Sequence, residues 1–268
     1  MTLEELAKRA IDGDADALDA LVRALQSDIY GLSLRMLWNR EDAEDATQEI
    51  LVRVVTRLGQ FNFRSLLKTW AYRVAVNYIL DVKKSPTERL HMNFESFAEN
   101  LTEGLDVEGP DQTEHSVLIE EVKVGCTLAM LQCLDRPHRL AYILGEIMDL
   151  AGPESAEALD ISPDLFRKRL QHARAAILTF TRSYCGLASE AAPCACNKQV
   201  ASAVRTGRID MHMLTFAGTA ASFDQTRAMV RQVDEARWAM EVHRTSHPRS
   251  SSVDFARRLL DTLEPPRD

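Results

Sequence analysis

Helical periodicity runs through most of the chain and constrains its fold more than any other feature. Apolar residues between Leu18 and Met36 recur at intervals of three and four, which places them on one face of an α-helix. A second stripe of this kind includes Ala43, Ile50 and Leu58. No stretch alternates apolar and polar residues as a half-buried β-strand does. The sequence therefore predicts an all-α fold.

Breaks in the helical pattern divide the chain into four predicted parts. Ser85-Pro86 ends the first run of helices, because the residue before a proline disfavours helical backbone. Residues 86–115 lack sustained periodicity and contain two glycines, which predicts a flexible linker. The predicted parts are a helical domain at 1–85, the linker at 86–115, a second helical domain at 116–184 and a helical extension at 185–268.

The charge of the chain is unevenly distributed. The net charge of −8 by itself disfavours a nucleic-acid partner. However, residues 64–84 carry five basic residues against one acidic residue, and residues 162–182 carry the same balance. Residues 86–125 carry ten acidic residues and two basic ones. Two basic patches therefore flank an acidic connector, and DNA binding is compatible with the acidic total.

No segment has the pattern of a membrane span or an export signal. No apolar run approaches the roughly 18 residues that cross a bilayer. The N-terminus is acidic and helical in pattern, unlike the basic and then apolar start of an export signal. We therefore expect a cytoplasmic protein without a membrane partner.

Residues 152–174 have the pattern of a helix-turn-helix. A short helix at about 154–159 and a turn at 160–162 precede a second helix that begins at Pro163. Ser162 suits the N-cap position, and Pro163 suits the first helical position, where its missing N–H costs nothing. We expect Leu165 to face the partner helix, and Arg174 to lie on the basic outer face that fits the major groove. An ordinary surface helix with solvated charges is the alternative.

A second basic patch, at residues 61–78, mixes cations with aromatic rings. Exposed bases stack on aromatic rings while the nucleic-acid backbone meets positive charge, so this mixture suits single-stranded DNA. The alternative is that Trp70 and Tyr72 are core or boundary residues, with Trp70 at least partly in the core.

Three segments, in this order, resemble one family. Residues 42–49, DAEDATQE, resemble the acidic segment of region 2 in extracytoplasmic-function sigma factors. Residues 68–77, KTWAYRVAVN, followed by Leu80-Asp81, resemble the next helix of that region. Residues 134–140, LDRPHRL, and then residues 150–175 resemble region 4. The resemblance covers about residues 3–183 and implies a non-enzymatic factor that brings core RNA polymerase to promoter DNA.

The resemblance also implies residue roles. An acidic helix face would dock on the clamp of the largest polymerase subunit, which suits a basic partner. The loop at 61–65 and the following helix would engage the −10 element, where a base leaves the stack. The helix-turn-helix would bind the −35 element as duplex. The expected polymerase contacts are Asp42, Asp45, Gln48 and Glu49, and the expected DNA contacts are Phe61, Arg64, Lys68, Trp70, Arg73, Asn77, Ser162, Arg167, Lys168, Arg169 and His172.

Two departures from the family pattern limit these implications. Residues 61–67 read FNFRSLL, where the family commonly has a sequence like FRGESSF. Gly152-Pro153 is inserted at the start of the helix-turn-helix. The promoter sequence is therefore not carried over. The acidic connector either mimics nucleic acid in the polymerase cleft or is a solvated linker.

The extension carries an unusual thiol group. Cys185, Cys194 and Cys196 are three of only five cysteines, an odd number that does not suit a paired disulfide framework. They are inert, bind zinc with a fourth ligand, or form a redox-sensitive pair. The resemblance requires no cofactor, so zinc at these cysteines is an additional candidate. The fourth-ligand candidates are His172, His212 and Cys133, whereas Cys126 and Cys133 are expected to pack as small apolar residues.

The helices predicted after residue 205 suggest regulation. They would fold back on the DNA-binding domains, replace a separate anti-sigma factor or bind another protein. The main alternative function is a stand-alone helix-turn-helix regulator whose extension senses metal or redox state. An enzyme is disfavoured, because the chain has no phosphate-binding glycine loop, HExxH motif or nucleophile elbow. An inactive homologue or a sequestering factor stays open.

Overall fold

The computed structural model describes residues 1–82, 92–103, 105, 116–189, 191–205, 208–209, 214–216, 238–246, 248 and 250–263. Regular structure in these residues is helical, which confirms the all-α prediction. The helices are α1 (Leu3–Ile11), α2 (Ala15–Leu37), α3 (Arg40–Thr56), α4 (Leu67–Asp81), α5 (Phe94–Glu103), α6 (Ser116–Gln132), α7 (Arg136–Tyr142), α8 (Gly152–Ala158), α9 (Pro163–Tyr184), α10 (Cys196–Arg205), α11 (Trp238–Thr245) and α12 (Phe255–Leu263). A 3-10 turn at Leu58–Gln60 follows α3, and a π-helical turn at Ile143–Ile147 follows α7.

The chain divides into two compact units that differ from the predicted domains. One unit consists of Met1–Arg89, Leu150–Arg167 and Ser250–Asp268. The other consists of Leu90–Asp149 and Lys168–Arg249. The first therefore combines region 2 with the start of the helix-turn-helix and the end of the chain, segments that are distant in sequence.

Helices α1 to α4 form the core of the first unit. Their starts are capped: Thr2 accepts from Glu5 N–H in a capping box, and Asp14 accepts from Ala17 N–H at 3.0 Å. The N-terminus of α4 has no side-chain cap of its own, and Glu4 of α1 accepts the Leu67 N–H there at 3.0 Å. A carboxylate from α1 thus fixes the start of the helix that carries the predicted −10 contacts.

The C-terminal helix α12 completes the first unit by packing on α2 and α3. Its Phe255, Ala256 and Leu259 are buried, and the Phe255 ring lies 6.2 Å from that of Tyr30. Just before α12, the hydroxyl of Ser251 donates to the Glu44 carboxylate at 2.6 Å. The last helix of the extension therefore packs within the chain, on helices of the first predicted domain.

Helix α5 belongs to the second unit and corrects the linker prediction. Residues 94–103 lie inside the segment expected to lack structure, yet they form three turns of helix. Phe94 and Phe97 pack on Phe180 of α9, with ring centroids at 5.2 and 5.3 Å, and Leu101 is buried. The apolar spacing is three and four, but acidic neighbours obscure it. The rest of the predicted linker, residues 86–91, 104 and 106–115, lies outside the described residues.

In the extension, α10 packs on α6. The Gln199 side-chain amide donates to the Leu101 carbonyl at 2.7 Å, and Glu121 accepts the backbone N–H groups of Thr215 and Phe216 at 2.8 Å each. The expected helix at 225–243 is described only from Trp238, as α11, and the rest lies outside the described residues.

Candidate polymerase and DNA interface

The predicted polymerase face lies on α3. Asn39 caps the helix by accepting the backbone N–H of Asp42 at 2.9 Å. Asp42, Asp45 and Glu49 follow at intervals of three and four, and Asp45 is exposed. Glu49 accepts a hydrogen bond from Arg53 Nε at 3.0 Å. These carboxylates therefore share one helix face, and their contact with polymerase stays a prediction.

Gln48 adds an unsatisfied acceptor to this helix. Its side-chain oxygen is buried and has no hydrogen-bond partner within the described residues. A buried acceptor without a hydrogen bond destabilises the folded protein, and a donor from a partner molecule would remove that penalty.

Tyr78 of α4, which the sequence placed in the basic and aromatic patch, lies beside the acidic face. Burial raises the pKa of its phenol, and the charges of Glu49 and Asp45 act in the same direction against Arg53. The Arg53 guanidinium lies 4.6 Å from the centre of the Tyr78 ring. Tyr78 approaches Arg53 and Glu49 only because α4 packs on α3. No spacing in the sequence could have predicted this contact.

In the predicted −10 loop, residues 61–65, Phe63 rather than the expected contact Phe61 is the exposed aromatic ring. Phe61 is 4% exposed, and its ring lies 4.6 Å from Phe63 and 5.5 Å from Trp70, centre to centre. Phe63 is 39% exposed and has a φ of 58°, a left-handed conformation that is unfavourable for a bulky residue. Phe61 therefore supports the loop from below, and Phe63 is the ring that points outward.

The other predicted −10 contacts lie at or near the surface. Arg64 and Asn77 are exposed, and Trp70 is half-buried. Lys68 Nζ lies 2.6 Å from an Asp28 carboxylate oxygen and 5.7 Å from the centre of the Tyr72 ring. Tyr72 is buried and Trp70 is half-buried, so both agree with the alternative that they are core or boundary residues.

Arg73 has a partner in the helix-turn-helix. Its guanidinium forms an ion pair with Asp160, in the turn after α8, and α8 packs on α4 within the first unit. Asp160 holds a left-handed φ of 54°, which fits a tight turn. A residue expected to contact −10 DNA is therefore paired with a carboxylate of the segment expected to bind the −35 element.

The start of the recognition helix α9 matches its sequence signals. Ser162 accepts the backbone N–H of Leu165 at 3.2 Å, and the helix begins at Pro163, so both predictions are confirmed. The expected docking residue Leu165 is wrong: it is 39% exposed, while Phe166 is 2% exposed and lies against Gly152. The Phe166 ring therefore takes the place expected for Leu165, whereas Leu170, further along α9, is buried.

The residues expected to contact the −35 element differ in their exposure to solvent and in their ion pairing. Arg167 is paired with Asp164 one turn away. Lys168 is exposed and Arg169 is half-buried. Their roles stay predictions.

His172 packs against a histidine of α7. Its ring lies 4.6 Å from that of His138, whose Nδ1 lies 2.6 Å from an Asp135 carboxylate oxygen. Burial alone would raise the pKa of Asp135, but the hydrogen bonds from His138 and the charge of Arg169 lower it.

Arg174 is not simply an outward-facing DNA contact. Its Nε lies 2.6 Å from a carboxylate oxygen of Glu146, a residue that is 5% exposed. A buried carboxylate needs a cation, and this pairing occupies Arg174. The Arg174 side chain is still 57% exposed, so it lies on the outer face as expected, and its contact with DNA stays a prediction.

The three tail cysteines are brought together. An isolated parallel bridge pairs Cys185 with Cys194, and Cys196 begins α10. All are free thiols. In the part of the chain that the structure describes, no three His, Cys, Asp or Glu side chains are close enough, as they stand, to hold a metal ion. His212, a candidate fourth ligand, lies outside that part. None of the described helices is long and apolar enough to cross a membrane.

Known proteins resemble this chain in the region that contains α3 and α4. A family model described as Sigma-70 region 2 matches residues 21–87. The chain is 28% identical over 179 residues to the RNA polymerase sigma-H factor of Pseudomonas aeruginosa, which covers 65% of this chain and 91% of that protein. It is also 28% identical over 183 residues to the ECF RNA polymerase sigma factor SigW of Bacillus subtilis, with 66% and 95% covered.

A solved structure, CnrH in complex with the cytosolic domain of CnrY, is 20% identical and covers 64% of this chain and 91% of that one. Its TM-score of 0.47 is too low to support a conclusion about this chain. The relatives match about two thirds of the chain, which leaves about a third of it without a counterpart in them. The region 2 match and the named relatives show that the chain is similar to the extracytoplasmic-function sigma factors, and they support a sigma factor function in transcription initiation.

Proposed function

We propose that this sigma factor docks on core RNA polymerase through Asp42, Asp45, Gln48 and Glu49 of α3. The observation that carries the proposal is the combination of an exposed acidic helix face with a buried, unpartnered Gln48 oxygen. The carboxylates suit electrostatic steering toward a basic surface, and the Gln48 oxygen suits a donor from the partner.

The same proposal assigns the promoter contacts. The loop at 61–65 and the exposed side of α4 engage the opened −10 element, with Phe63 as the exposed ring of the loop. The N-terminal part of α9, with Lys168 exposed, binds the −35 element as duplex. The polymerase forms the RNA bonds, and the factor acts without catalysis of its own, in the cytoplasm.

The proposal also includes regulation of the factor by its own C-terminal extension. Helix α12 covers α2 and α3, where a separate anti-sigma protein would otherwise find an apolar surface. The Arg73–Asp160 pair occupies a −10 contact. A stand-alone regulator is not favoured, because the relatives named above are polymerase sigma factors.

The test is transcription from genomic promoter fragments by core polymerase with and without the full chain. We expect new start sites with the wild type, and a loss of at least about tenfold with Asp45→Arg, because the new cation repels a basic partner. Asp12→Arg reverses a charge at another exposed position, at the end of α1, and is the matched control.

Direct polymerase binding separates docking from DNA contact. Asp45→Arg should lose co-elution with core polymerase yet keep its affinity for duplex DNA. New starts at wild-type level with Asp45→Arg, or an equal loss with Asp12→Arg, would contradict docking through this face.

A further inference from the structure

We propose that Cys185 and Cys194 form a reversible disulfide, with a hydroperoxide as the oxidant, that ties the end of α9 to the segment leading into α10. Of the interpretations that the sequence left open for the tail cysteines, this one takes the redox-sensitive pair and assigns its two members. The proposal does not depend on the polymerase and promoter contacts proposed above.

The backbone places these two residues opposite each other. The N–H of Gly186 donates to the Cys194 carbonyl at 2.8 Å, and the N–H of Cys194 donates to the Tyr184 carbonyl at 3.3 Å. These two hydrogen bonds form an isolated parallel bridge between Cys185 and Cys194. Bridged segments lie about 4.8 Å apart, and a disulfide joins Cα atoms that are about 4.4–6.8 Å apart. The backbone spacing of the pair therefore suits a disulfide.

The bridge also directs the two side chains to one side. Residues directly opposite each other in a bridge project their side chains from the same face. Gly186 allows the two segments to come this close, because a Cβ there would lie 2.4 Å from the Cys194 carbonyl oxygen. Both thiols are free in this structure, which therefore describes the reduced form of the pair.

The other three cysteines lie outside this bridge. Cys196 is the first residue of α10, so its backbone follows the helix. Cys126 lies within α6. The Cys133 sulfur approaches the Ala129 carbonyl oxygen at 3.6 Å. The backbone pairing therefore favours Cys194 over these cysteines as the partner of Cys185.

Solvent exposure and hydrogen bonding give the two thiols different roles. Cys185 is half-buried, whereas Cys194 is buried. Burial raises the pKa of both thiols, that of Cys194 to about 12, and the backbone N–H groups of Leu187 and Ala188 act against the rise at Cys185. Since the thiolate is the nucleophile, Cys185 is the thiol that reacts first with a hydroperoxide, and Cys194 completes the bond.

The reaction proceeds in two balanced steps. The Cys185 thiolate attacks one peroxide oxygen, the O–O bond breaks, and a sulfenic acid forms as an alcohol leaves. The Cys194 sulfur then attacks the Cys185 sulfur, the S–O bond breaks, and water leaves with the proton of the Cys194 thiol. The two thiols lose two electrons and two hydrogens in total, and the hydroperoxide is reduced to the alcohol and water. A small thiol reverses the bond by thiol–disulfide exchange.

The disulfide would reinforce contacts that α10 already makes. This helix packs on α6, and the Gln199 amide donates to the Leu101 carbonyl of α5 at 2.7 Å. The same amide nitrogen lies 3.6 Å from the Cys194 sulfur. A covalent link at Cys194 restricts the segment from which α10 begins, so we expect slower hydrogen exchange in α10 when the pair is oxidised.

The experiment maps the bond by mass spectrometry in the full chain, which is first reduced and then treated with hydrogen peroxide. Trypsin cleaves after Arg182 and Lys198, and a glutamate-specific protease cleaves after Glu190. These cuts separate the peptides 183–190 and 191–198, so only a disulfide keeps the two joined.

We expect the two peptides to stay joined after oxidation, at a mass lower by two hydrogens, with fragmentation placing the bond at Cys194. The number of reactive thiols, measured after unfolding, should fall from five to three, and a reducing thiol should restore five. This measurement uses the wild-type chain alone, so it is independent of whether any variant folds.

Two pairs of variants test the assignment. Cys194→Ser should lower the yield of the joined peptides at least about tenfold, whereas Cys196→Ser, the matched control two residues away, should keep it. In glutathione buffers, Gly186→Ala should require more oxidising conditions to form the bond, because the new Cβ forces the bridge apart. Gly59→Ala, whose Cβ meets nothing within 4 Å, should behave as the wild type.

Three outcomes would overturn the proposal. They are a wild-type chain that keeps all five thiols after oxidation, a bond mapped from Cys185 to a cysteine other than Cys194, and an undiminished yield of joined peptides in Cys194→Ser. A chain that directs transcription normally but forms no bond would overturn only this site, whereas a chain that forms the bond but fails to direct transcription would overturn only the proposed function.

Discussion

At the residue scale, the start of the recognition helix depends on one hydroxyl. Ser162 accepts the Leu165 N–H, one of the backbone donors that a helix leaves unpaired at its N-terminus. We expect Ser162→Ala to lower the free energy of unfolding by about 1 kcal/mol, as loss of an N-cap does. Urea unfolding measures the change. Ser183→Ala, at an exposed serine near the other end of α9, is the control. Equal effects of both substitutions would refute the cap's contribution.

Single residues also decided which ring the −10 loop presents. The sequence placed Phe61 and Phe63 in one aromatic and basic patch, and both are aromatic neighbours in space. Their division into a buried support and an exposed ring depends on the left-handed φ of Phe63. No spacing rule predicts that angle for phenylalanine, because local sterics disfavour it and only the surrounding packing holds it.

At the scale of elements, α12 depends on tertiary contacts for its place. Nine residues rarely hold a helix alone, so its burial on α2 and α3 must supply the stability. We expect Leu259→Ala, at a fully buried position, to lower the free energy of unfolding of the full chain by about 2–5 kcal/mol. Hydrogen exchange should become faster in α2 and α3. Arg258→Ala, at an exposed neighbour, should change stability by less than about 0.5 kcal/mol.

If Leu259→Ala were as stable as Arg258→Ala, α12 would not be an integral part of the first unit. The sequence predicted a helix at 252–263 and left its partner surface open. The observed helix at Phe255–Leu263 confirms the element. The partner lies more than 200 residues away in sequence, as the Arg23–Asp254 ion pair shows, and periodicity carries no information about such a contact.

At the scale of the whole molecule, α4 and the helix-turn-helix share a compact unit, and Arg73 is paired with Asp160 there. The pair is substantially exposed, with side-chain exposures of 41% and 71%, so its contribution to stability is small. Its competition with DNA is the larger effect. We expect Asp160→Asn to tighten binding to a −10 probe by about 1.5- to 5-fold at low salt, the equivalent of one exposed ion pair.

This measurement rests on the proposed role of Arg73 in −10 binding. Asp12→Asn removes one negative charge elsewhere and is the control for net charge. The gain should vanish in an Arg73→Ala background and shrink as salt is added, since exposed charges are screened. A gain that persists without Arg73 would contradict competition through this pair.

The sequence by itself determined the local features of this protein. Helix type follows from spacing of three and four, and the start of α9 follows from Ser162 and Pro163, because both depend on neighbours within about one turn. The family also followed from short motifs that each lie within one helix or turn.

Only the tertiary structure decided the long-range features. It placed α12 on α2 and α3, turned part of the predicted linker into α5, and buried Phe166 in place of Leu165. Each of these features depends on which surfaces, distant in sequence, pack against each other and bury their apolar side chains. A linear pattern shows that an apolar face or a thiol needs a partner, and the fold alone selects which partner it receives.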